Sequence, residues 1–199
     1  MIIEKKIVKY DWGFEEWIES AADCPYMTKY ITIEKPTSLQ IHPSCKPETI
    51  TALTDTTVLV GFRELSEARE LFEKTDIQMI HNAIGLLSLI SGILGLGSKI
   101  KHYVIENMPN EMPYSMCKYL AKLWPLDAAA LAPLFLNIYN LKEGQSLYIP
   151  PYTPHVFIKG KVLECSGNSN ITIRAGLTKK PKDVKMFINK VDTTPYQSK

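Results

Sequence analysis

The amino-acid sequence predicts a mainly β protein with some α-helix, in which a jelly roll or barrel carries a helical insertion. Short runs rich in β-branched and aromatic residues lie on both sides of a central stretch, and Gly and Pro turns separate them. In the central stretch, residues 64–133, apolar residues recur at helical spacing. Because these helices are grouped and do not alternate with strands, a doubly wound α/β fold is disfavoured. We predict a β domain made of residues 1–63 and 134–199, with 64–133 as the insertion.

Three strands are predicted in the first β segment. Residues 2–10 alternate loosely and form the opening strand, and residues 10–13, Tyr-Asp-Trp-Gly, form an aromatic turn. Residues 26–33 alternate clearly and predict a second strand. Residues 56–62, with three consecutive aliphatic side chains, predict a third.

Helical periodicity predicts the elements of the insertion, and prolines and glycines separate them. The pattern covers residues 65–72, 77–96, 99–106 and 114–123. Two histidines fall in this part, His81 and His102, and we expect both to be structural or surface residues.

Short strands return after Pro133. The pattern predicts strands at residues 134–141, 146–149, 155–158, 162–165 and 171–174. Gly160 is expected to form a turn, and residues 186–191 are expected to form a last strand.

Composition excludes several classes of protein. The chain has 199 residues, 45% of them hydrophobic, and a net charge of +2, so neither nucleic acid nor an anionic membrane is indicated as a partner. No obligate protein partner is evident. Four scattered cysteines without a Cys-x-x-Cys pair argue against a zinc knuckle or a disulfide framework and favour a reducing cytoplasm. The first residues do not resemble a signal peptide, and the most apolar run, residues 84–97, is too short to span a bilayer.

The stretch from Ser38 to Glu48 contains the best candidates for function. If its first half is a strand, Gln40 and His42 project from one face, with Ser38 one step earlier on that face. Two prolines then end the strand and stiffen the return, which lets Glu48 swing back beside His42.

An imidazole, a carboxylate and an amide oxygen that converge in this way make half of a metal site. The best candidate for the other half is His155, which follows a stiff Pro-rich loop and begins an apolar strand. Two histidines, one carboxylate and one amide oxygen leave positions open for water or substrate, as a catalytic zinc site requires. A single histidine on a strand is more often structural or exposed, so the hypothesis depends on the whole set.

The spacing of Gly144, Pro150 and His155 resembles that of the second cupin motif. In addition, the chain resembles the type I mannose-6-phosphate isomerases. The resemblance is carried by Tyr10–Gly13, Ser38–Pro43, Lys46–Glu48, Leu136-Asn137, Leu147–Pro150, Pro154-His155, Glu164-Cys165 and Arg174–Thr178.

This resemblance implies a cupin-type jelly roll and a shortened form without the family's carboxyl-terminal domain. It implies an isomerase that interconverts mannose 6-phosphate and fructose 6-phosphate, in carbohydrate metabolism on the route to GDP-mannose. One zinc ion per chain would be held by Gln40, His42, Glu48 and His155. The implied catalytic residues are Arg174, Lys46 and Glu164, and the residues expected near the sugar phosphate are Ser38 and Lys180.

These assignments agree with the chemistry of the reaction. Moving a proton between neighbouring carbons through an enediol needs a base and a positive partner for the developing negative oxygen. Arg174 offers a permanent charge and a planar donor fork, and Lys46 lies within the metal-ligand run. The alternative for Arg174 and Lys180 is a solvated pair at a strand end, and the alternative for Glu164 is a salt bridge to Arg174. The sequence leaves the proton-transfer base open.

Several positions depart from the family pattern. Ser44-Cys45 stands where the family has Asn-His, Phe157 where it has Tyr, and Asn170 where it has Asp. We expect these changes to affect substrate closure and turnover more than metal binding. Two other functions stay open: a cupin oxygenase with a two-His-one-carboxylate iron site, and a non-catalytic metal- or sugar-binding cupin.

Overall fold

The computed structural model describes residues 5–18, 24–75, 77, 83–96 and 107–198. The strands are β1 (Lys5–Tyr10), β2 (Gly13–Ile18), β3 (Tyr26–Ile33), β4 (Leu39–Ile41), β5 (Glu48–Ala52), β6 (Thr56–Phe62), β7 (Leu136–Leu141), β8 (Ser146–Ile149), β9 (His155–Gly167) and β10 (Ile173–Gly176). The α-helices are α1 (Leu65–Glu73), α2 (Leu86–Leu94), α3 (Tyr114–Leu123), α4 (Ala132–Phe135) and α5 (Val184–Lys190), and a 3-10 turn covers Ala128–Leu131. None of the described helices is long and apolar enough to cross a membrane.

The long strand β9 organises the sheet. Its first half pairs with β4 and β6, and its second half pairs with β3 and β5, all antiparallel. At the change of partners lies Gly160, with a φ of 119°, and a Cβ there would come within 2.8 Å of the Thr56 backbone. The turn predicted at Gly160 is therefore wrong: the strand continues through a bend that glycine permits.

Strand β6 separates two hydrophobic clusters, and all of its residues are buried. Val58 and Val60 pack with Ile31, Ile50 and other inward residues of the curled sheet. Leu59 and Phe62 point the other way and join the cluster built by the helices. The helices thus share a core with one face of the sheet. The predicted domain boundaries at 63/64 and 133/134 stay a prediction.

The mainly β prediction is confirmed, and the strands predicted at 26–33, 56–62 and 146–149 match β3, β6 and β8. The sequence pattern does not reveal strand β5. The strand expected at 186–191 is wrong, because α5 occupies that segment and the Asp183 side chain accepts a hydrogen bond from the Met186 N–H at its start.

In the insertion, the structure has helices α1, α2 and α3, as the periodicity predicts. The helix expected at 99–106, and residues 78–82 of the one expected at 77–96, lie outside the described residues. So do His81 and His102.

Candidate metal centre and its cavity

Strand pairing brings the candidate ligands together from distant parts of the chain. Gln40 on β4 lies opposite His155 on β9 and, on its other side, opposite Arg174 on β10. His42 follows the last residue of β4, and Glu48 is the first residue of β5. The convergence of Gln40, His42, Glu48 and His155 expected from the sequence is therefore present.

The four side chains are in direct contact. His42 Nε2 lies 3.2 Å from Glu48 Oε1, and His155 Nε2 lies 3.6 Å from Glu48 Oε2. The Gln40 amide nitrogen lies 3.4 Å from His42 Nε2 and 3.2 Å from His155 Nε2. One ligand atom from each of His42, Glu48 and His155 lies within 4.8 Å of the others, and all three residues are buried.

Backbone carbonyls fix the orientation of both imidazoles. His42 Nδ1 donates to the Ile171 carbonyl at 2.9 Å, and His155 Nδ1 donates to the Thr153 carbonyl at 3.0 Å. With the proton on Nδ1, each Nε2 presents a lone pair to the centre of the cluster. Burial, and then the neighbouring His155, hold the pKa of His42 well below its ordinary value, so this ring is neutral.

The donor set fits a divalent cation. Glu48 Oε2 is buried and has no hydrogen-bond partner among the described residues, an arrangement that is costly for a carboxylate unless something positive satisfies it. Two imidazole lone pairs and this carboxylate point at one place, which is the ligand chemistry of zinc.

The Gln40 amide could complete this set in only one of its two orientations. In the structure its Oε1 accepts a hydrogen bond from Ser38 Oγ at 2.6 Å, and its nitrogen faces the imidazoles. A cation between the rings would require the reverse orientation, because only the oxygen can be a ligand. The Ser38 hydroxyl can then accept from the amide nitrogen, since a hydroxyl both donates and accepts.

Lys46 and Glu164, two of the expected catalytic residues, are also buried beside the cluster. Lys46 Nζ lies 3.0 Å from Glu48 Oε1. Glu164 pairs with Lys29, at 3.2 Å between Nζ and Oε1. The alternative of a salt bridge between Glu164 and Arg174 is wrong, because Lys29 takes that place directly opposite Glu164 on β3.

Sequence reasoning missed two buried charged residues, Lys29 and Glu15. Lys29 Nζ donates to Glu15 Oε1 at 3.3 Å, and both residues line the same cavity as the metal ligands. A signal was present: Lys29 lies in the inward register of β3, between Met27 and Ile31, where an apolar residue is expected. A charged residue in such a register indicates a buried partner.

A cavity of about 950 Å³ opens above the cluster. Among its described lining residues are seven lysines and arginines and four carboxylates, so it favours an anion. Ser38, Arg174 and Lys180, the remaining expected site residues, all line it.

Two of these cations, Arg174 and Lys180, line the same cavity and repel each other. Burial lowers the pKa of Arg174, and burial together with Arg174 lowers that of Lys180. The Lys180 ammonium lies 4.5 Å from the centre of the Tyr10 ring. The repulsion between the two cations would be relieved by a bound anion.

Comparison with curated proteins finds mannose-6-phosphate isomerases. The chain is 29% identical to a probable mannose-6-phosphate isomerase of Caenorhabditis elegans over 82% of its length. It is 24% identical to the Salmonella typhimurium enzyme over 87% of its length and 27% identical to the human one over 88%. These relatives are longer: the chain covers 50%, 55% and 53% of them, about half of each. No protein-family model matches the chain.

Solved structures of phosphomannose isomerases are similar to this chain in fold. A lysine-to-alanine mutant of phosphomannose isomerase from Salmonella typhimurium has a TM-score of 0.83 at 19% identity, with 98% of this chain and 74% of the other covered. A mannose 6-phosphate isomerase bound with zinc and yttrium has a TM-score of 0.75 at 23% identity, with 86% and 55% covered. The predicted cupin-type fold and the resemblance to mannose-6-phosphate isomerases are both confirmed.

Proposed function

We propose that this chain is a zinc-dependent aldose–ketose isomerase that interconverts mannose 6-phosphate and fructose 6-phosphate through an enediol. The observation that carries the proposal is the buried cluster of two oriented imidazoles, a carboxylate and an amide at the floor of a cationic cavity. The similarity to curated isomerases over 82–88% of the chain supports it. A role in the cytoplasm, on the route to GDP-mannose, is part of the same proposal.

Gln40, His42, Glu48 and His155 would hold one zinc ion per chain. When bound, zinc supplies Lewis-acid polarisation of the substrate oxygens. The carbonyls of Ile171 and Thr153 keep both histidine ligands in the required tautomer, and the Ser38 hydroxyl orients the Gln40 amide.

The proton is moved by groups on the cavity wall. Lys46 and Glu164 are buried and ionisable and lie near the metal ligands, so they are the candidates for proton transfer. Arg174 lies next to Gln40 on the neighbouring strand, where its guanidinium can stabilise the negative oxygen that develops as the enediol forms.

The phosphate of the substrate is assigned to the cationic part of the cavity. Lys180 lies there with Arg174, and its ammonium covers the face of the Tyr10 ring. Ser38 also lines the cavity, but its hydroxyl contacts Gln40. We therefore propose that Lys180 contributes more to phosphate affinity than Ser38 does.

An assay of zinc-reconstituted protein tests the proposal. Fructose 6-phosphate formed from mannose 6-phosphate is followed by coupled reduction of a nicotinamide nucleotide. Turnover that depends on zinc and is lost in His155→Ala supports an isomerase. Absence of turnover, with mannose 6-phosphate still bound in calorimetry, would instead indicate a binding cupin, and iron-dependent oxygen consumption would indicate an oxygenase. With its amide reversed, Gln40 would add an oxygen ligand to the two histidines that it contacts, which would favour zinc over a three-ligand iron site.

A further inference from the structure

The segment that follows β10 lines the cavity and carries Lys180. Four consecutive residues, 177–180, contribute to the cavity wall. Leu177, the first of them, has a φ of 56°, a backbone conformation that residues other than glycine rarely adopt. Such a conformation persists only where neighbouring groups hold it. The direction in which the segment leaves β10, and with it the position of Lys180, therefore depends on what holds Leu177.

Asp127 holds Leu177 from the helical part of the chain. Its Oδ2 accepts a hydrogen bond from the Leu177 N–H at 2.9 Å. Its Oδ1 accepts one from the Ala129 N–H at 3.0 Å and so caps the 3-10 turn. The Asp127 side chain is only 11% exposed. One carboxylate thus joins the start of the 3-10 turn to the segment that lines the cavity.

The approach of Asp127 to this segment requires a glycine. A Cβ at Gly176 would lie 2.5 Å from Asp127 Oδ1 and 2.4 Å from the Ala129 Cβ, so a side chain there would push the carboxylate away. At the other end of the segment, the Asp183 N–H donates to the Arg174 carbonyl at 2.9 Å. The segment is therefore fixed at both ends, and its first anchor is the Asp127 carboxylate.

Lys182 contacts the same oxygen of Asp127, at 3.3 Å. The Lys182 side chain is 42% exposed, and an ion pair with so exposed a partner stabilises little. The bond from Leu177 is a charge-assisted hydrogen bond from a buried residue, which is the stronger kind of contact. The hydrogen bond to Leu177 is thus the main contact of this oxygen.

We propose that Asp127 is a positioning residue of the anion site: by accepting the hydrogen bond of the Leu177 N–H, it holds residues 177–180 in the conformation that brings the Lys180 ammonium to the phosphate of the substrate. Asp127 is not among the described residues that line the cavity, so it acts on the substrate only through this segment. The effect on phosphate affinity rests on the function proposed above. The anchoring of Leu177 does not.

The test compares Asp127→Ser with Asp183→Ser. Serine is a good capping residue, but it has one side-chain oxygen where aspartate has two, so Asp127→Ser can keep the cap and lose the bond to Leu177. Asp183 is the matched control, because its Oδ1 also caps a helix, by accepting from the Met186 N–H at 2.8 Å. Asp183 is likewise not among the described residues that line the cavity.

In Asp127→Ser, the KM for mannose 6-phosphate should rise about tenfold while kcat stays within about twofold of the wild-type value, because a contact that binds substrate and transition state equally is weakened. Asp183→Ser should keep both constants. Zinc content and the circular-dichroism spectrum of both variants should match those of the wild-type chain, which shows that the fold is intact. An Asp127→Ser enzyme with the KM of Asp183→Ser would overturn the proposal.

A double-mutant cycle shows whether Asp127 acts through Lys180. In the Lys180→Gln background, Asp127→Ser should change KM by less than about twofold, since the group that it positions is gone. A merely structural role would raise KM by the same factor in both backgrounds. Such a full additive increase would overturn the proposal.

A second readout needs no turnover. Amide hydrogen exchange, followed by NMR, measures how firmly the Leu177 N–H is held. Its exchange should be severalfold faster in Asp127→Ser than in the wild-type chain or Asp183→Ser. If the wild-type chain has no isomerase activity, the function proposed above fails, but this measurement still decides whether Asp127 anchors Leu177. Equal exchange in all three proteins would overturn that anchoring.

Discussion

At the scale of single residues, the site depends on the tautomers of two histidines, and backbone carbonyls hydrogen-bonded to their Nδ1 atoms fix these tautomers. His42 and His155 can present lone pairs only because backbone carbonyls accept their Nδ1 protons. The sequence shows which residue types could be ligands, but the tautomers of the two histidines depend on the carbonyls of Ile171 and Thr153. Thr153 belongs to the Pro-rich loop before His155 and Ile171 precedes β10, but the sequence does not show that their carbonyls accept these protons.

His155→Ala should abolish metal retention and activity together. Loss of an outer-sphere partner costs roughly 10- to 100-fold in metal affinity, so loss of a ligand should cost more than about a hundredfold. Zinc bound after dialysis, measured by atomic emission, checks the first effect, and the coupled assay checks the second. A variant that retains a full equivalent of zinc would show that His155 is not a ligand.

Arg174→Ala should leave zinc bound and remove turnover. Arg174 lies opposite Gln40 on β10, beside the ligands but outside their cluster. Arg174→Lys is the matched control: it keeps the charge but loses the planar fork, so we expect it to recover only a small part of kcat. Wild-type kcat in Arg174→Ala, measured at saturating substrate, would remove this residue from the mechanism.

At the scale of elements, the part of the site that could be predicted is the part carried by strand periodicity. The strand period of two is sufficient to predict that Gln40 and His42 share a face. Glu48 follows a turn, as the sequence predicts, and it also begins β5, a strand whose start Pro47 obscures in the sequence. Segment 186–191 is ambiguous between strand and helix by its pattern, and the capping residue Asp183 is the signal that decides it.

The bend in β9 gives a prediction at the same scale. Gly160→Ala should lower the free energy of unfolding by about 1–3 kcal/mol from its backbone conformation alone, and the contact with Thr56 should add to this loss. Gly144→Ala is the control, because Gly144 also has a positive φ, of 86°, but nothing lies within 4 Å of its Cβ position. We expect only about 1 kcal/mol there. Urea unfolding of both variants measures the difference, and equal losses would show that the contact with Thr56 is unimportant.

At the scale of the whole molecule, the buried charged residues that sequence analysis missed show that the sequence does not reveal strand order. Lys29, Glu15 and Glu164 meet because β2, β3 and β9 pair in one particular register. A charged residue in an apolar register predicts that a partner exists, but only the strand order identifies it. Closeness in sequence and opposite charge suggest Arg174 as the partner of Glu164, whereas the strand order makes it Lys29.

Metal binding should stabilise the entire fold, because the proposed ligands join β4, β5 and β9 across the sheet. At a free zinc concentration about 100-fold above Kd, binding adds about 2.7 kcal/mol to the stability of the folded state. For a chain of this size that is an increase in Tm of roughly 5–10 °C. Scanning calorimetry with zinc and with a chelator measures it. His155→Ala should have the same Tm in both conditions, which separates binding at this cluster from weak binding elsewhere. A zinc-induced shift that persists in His155→Ala would mean that the stabilising ion is bound at another place.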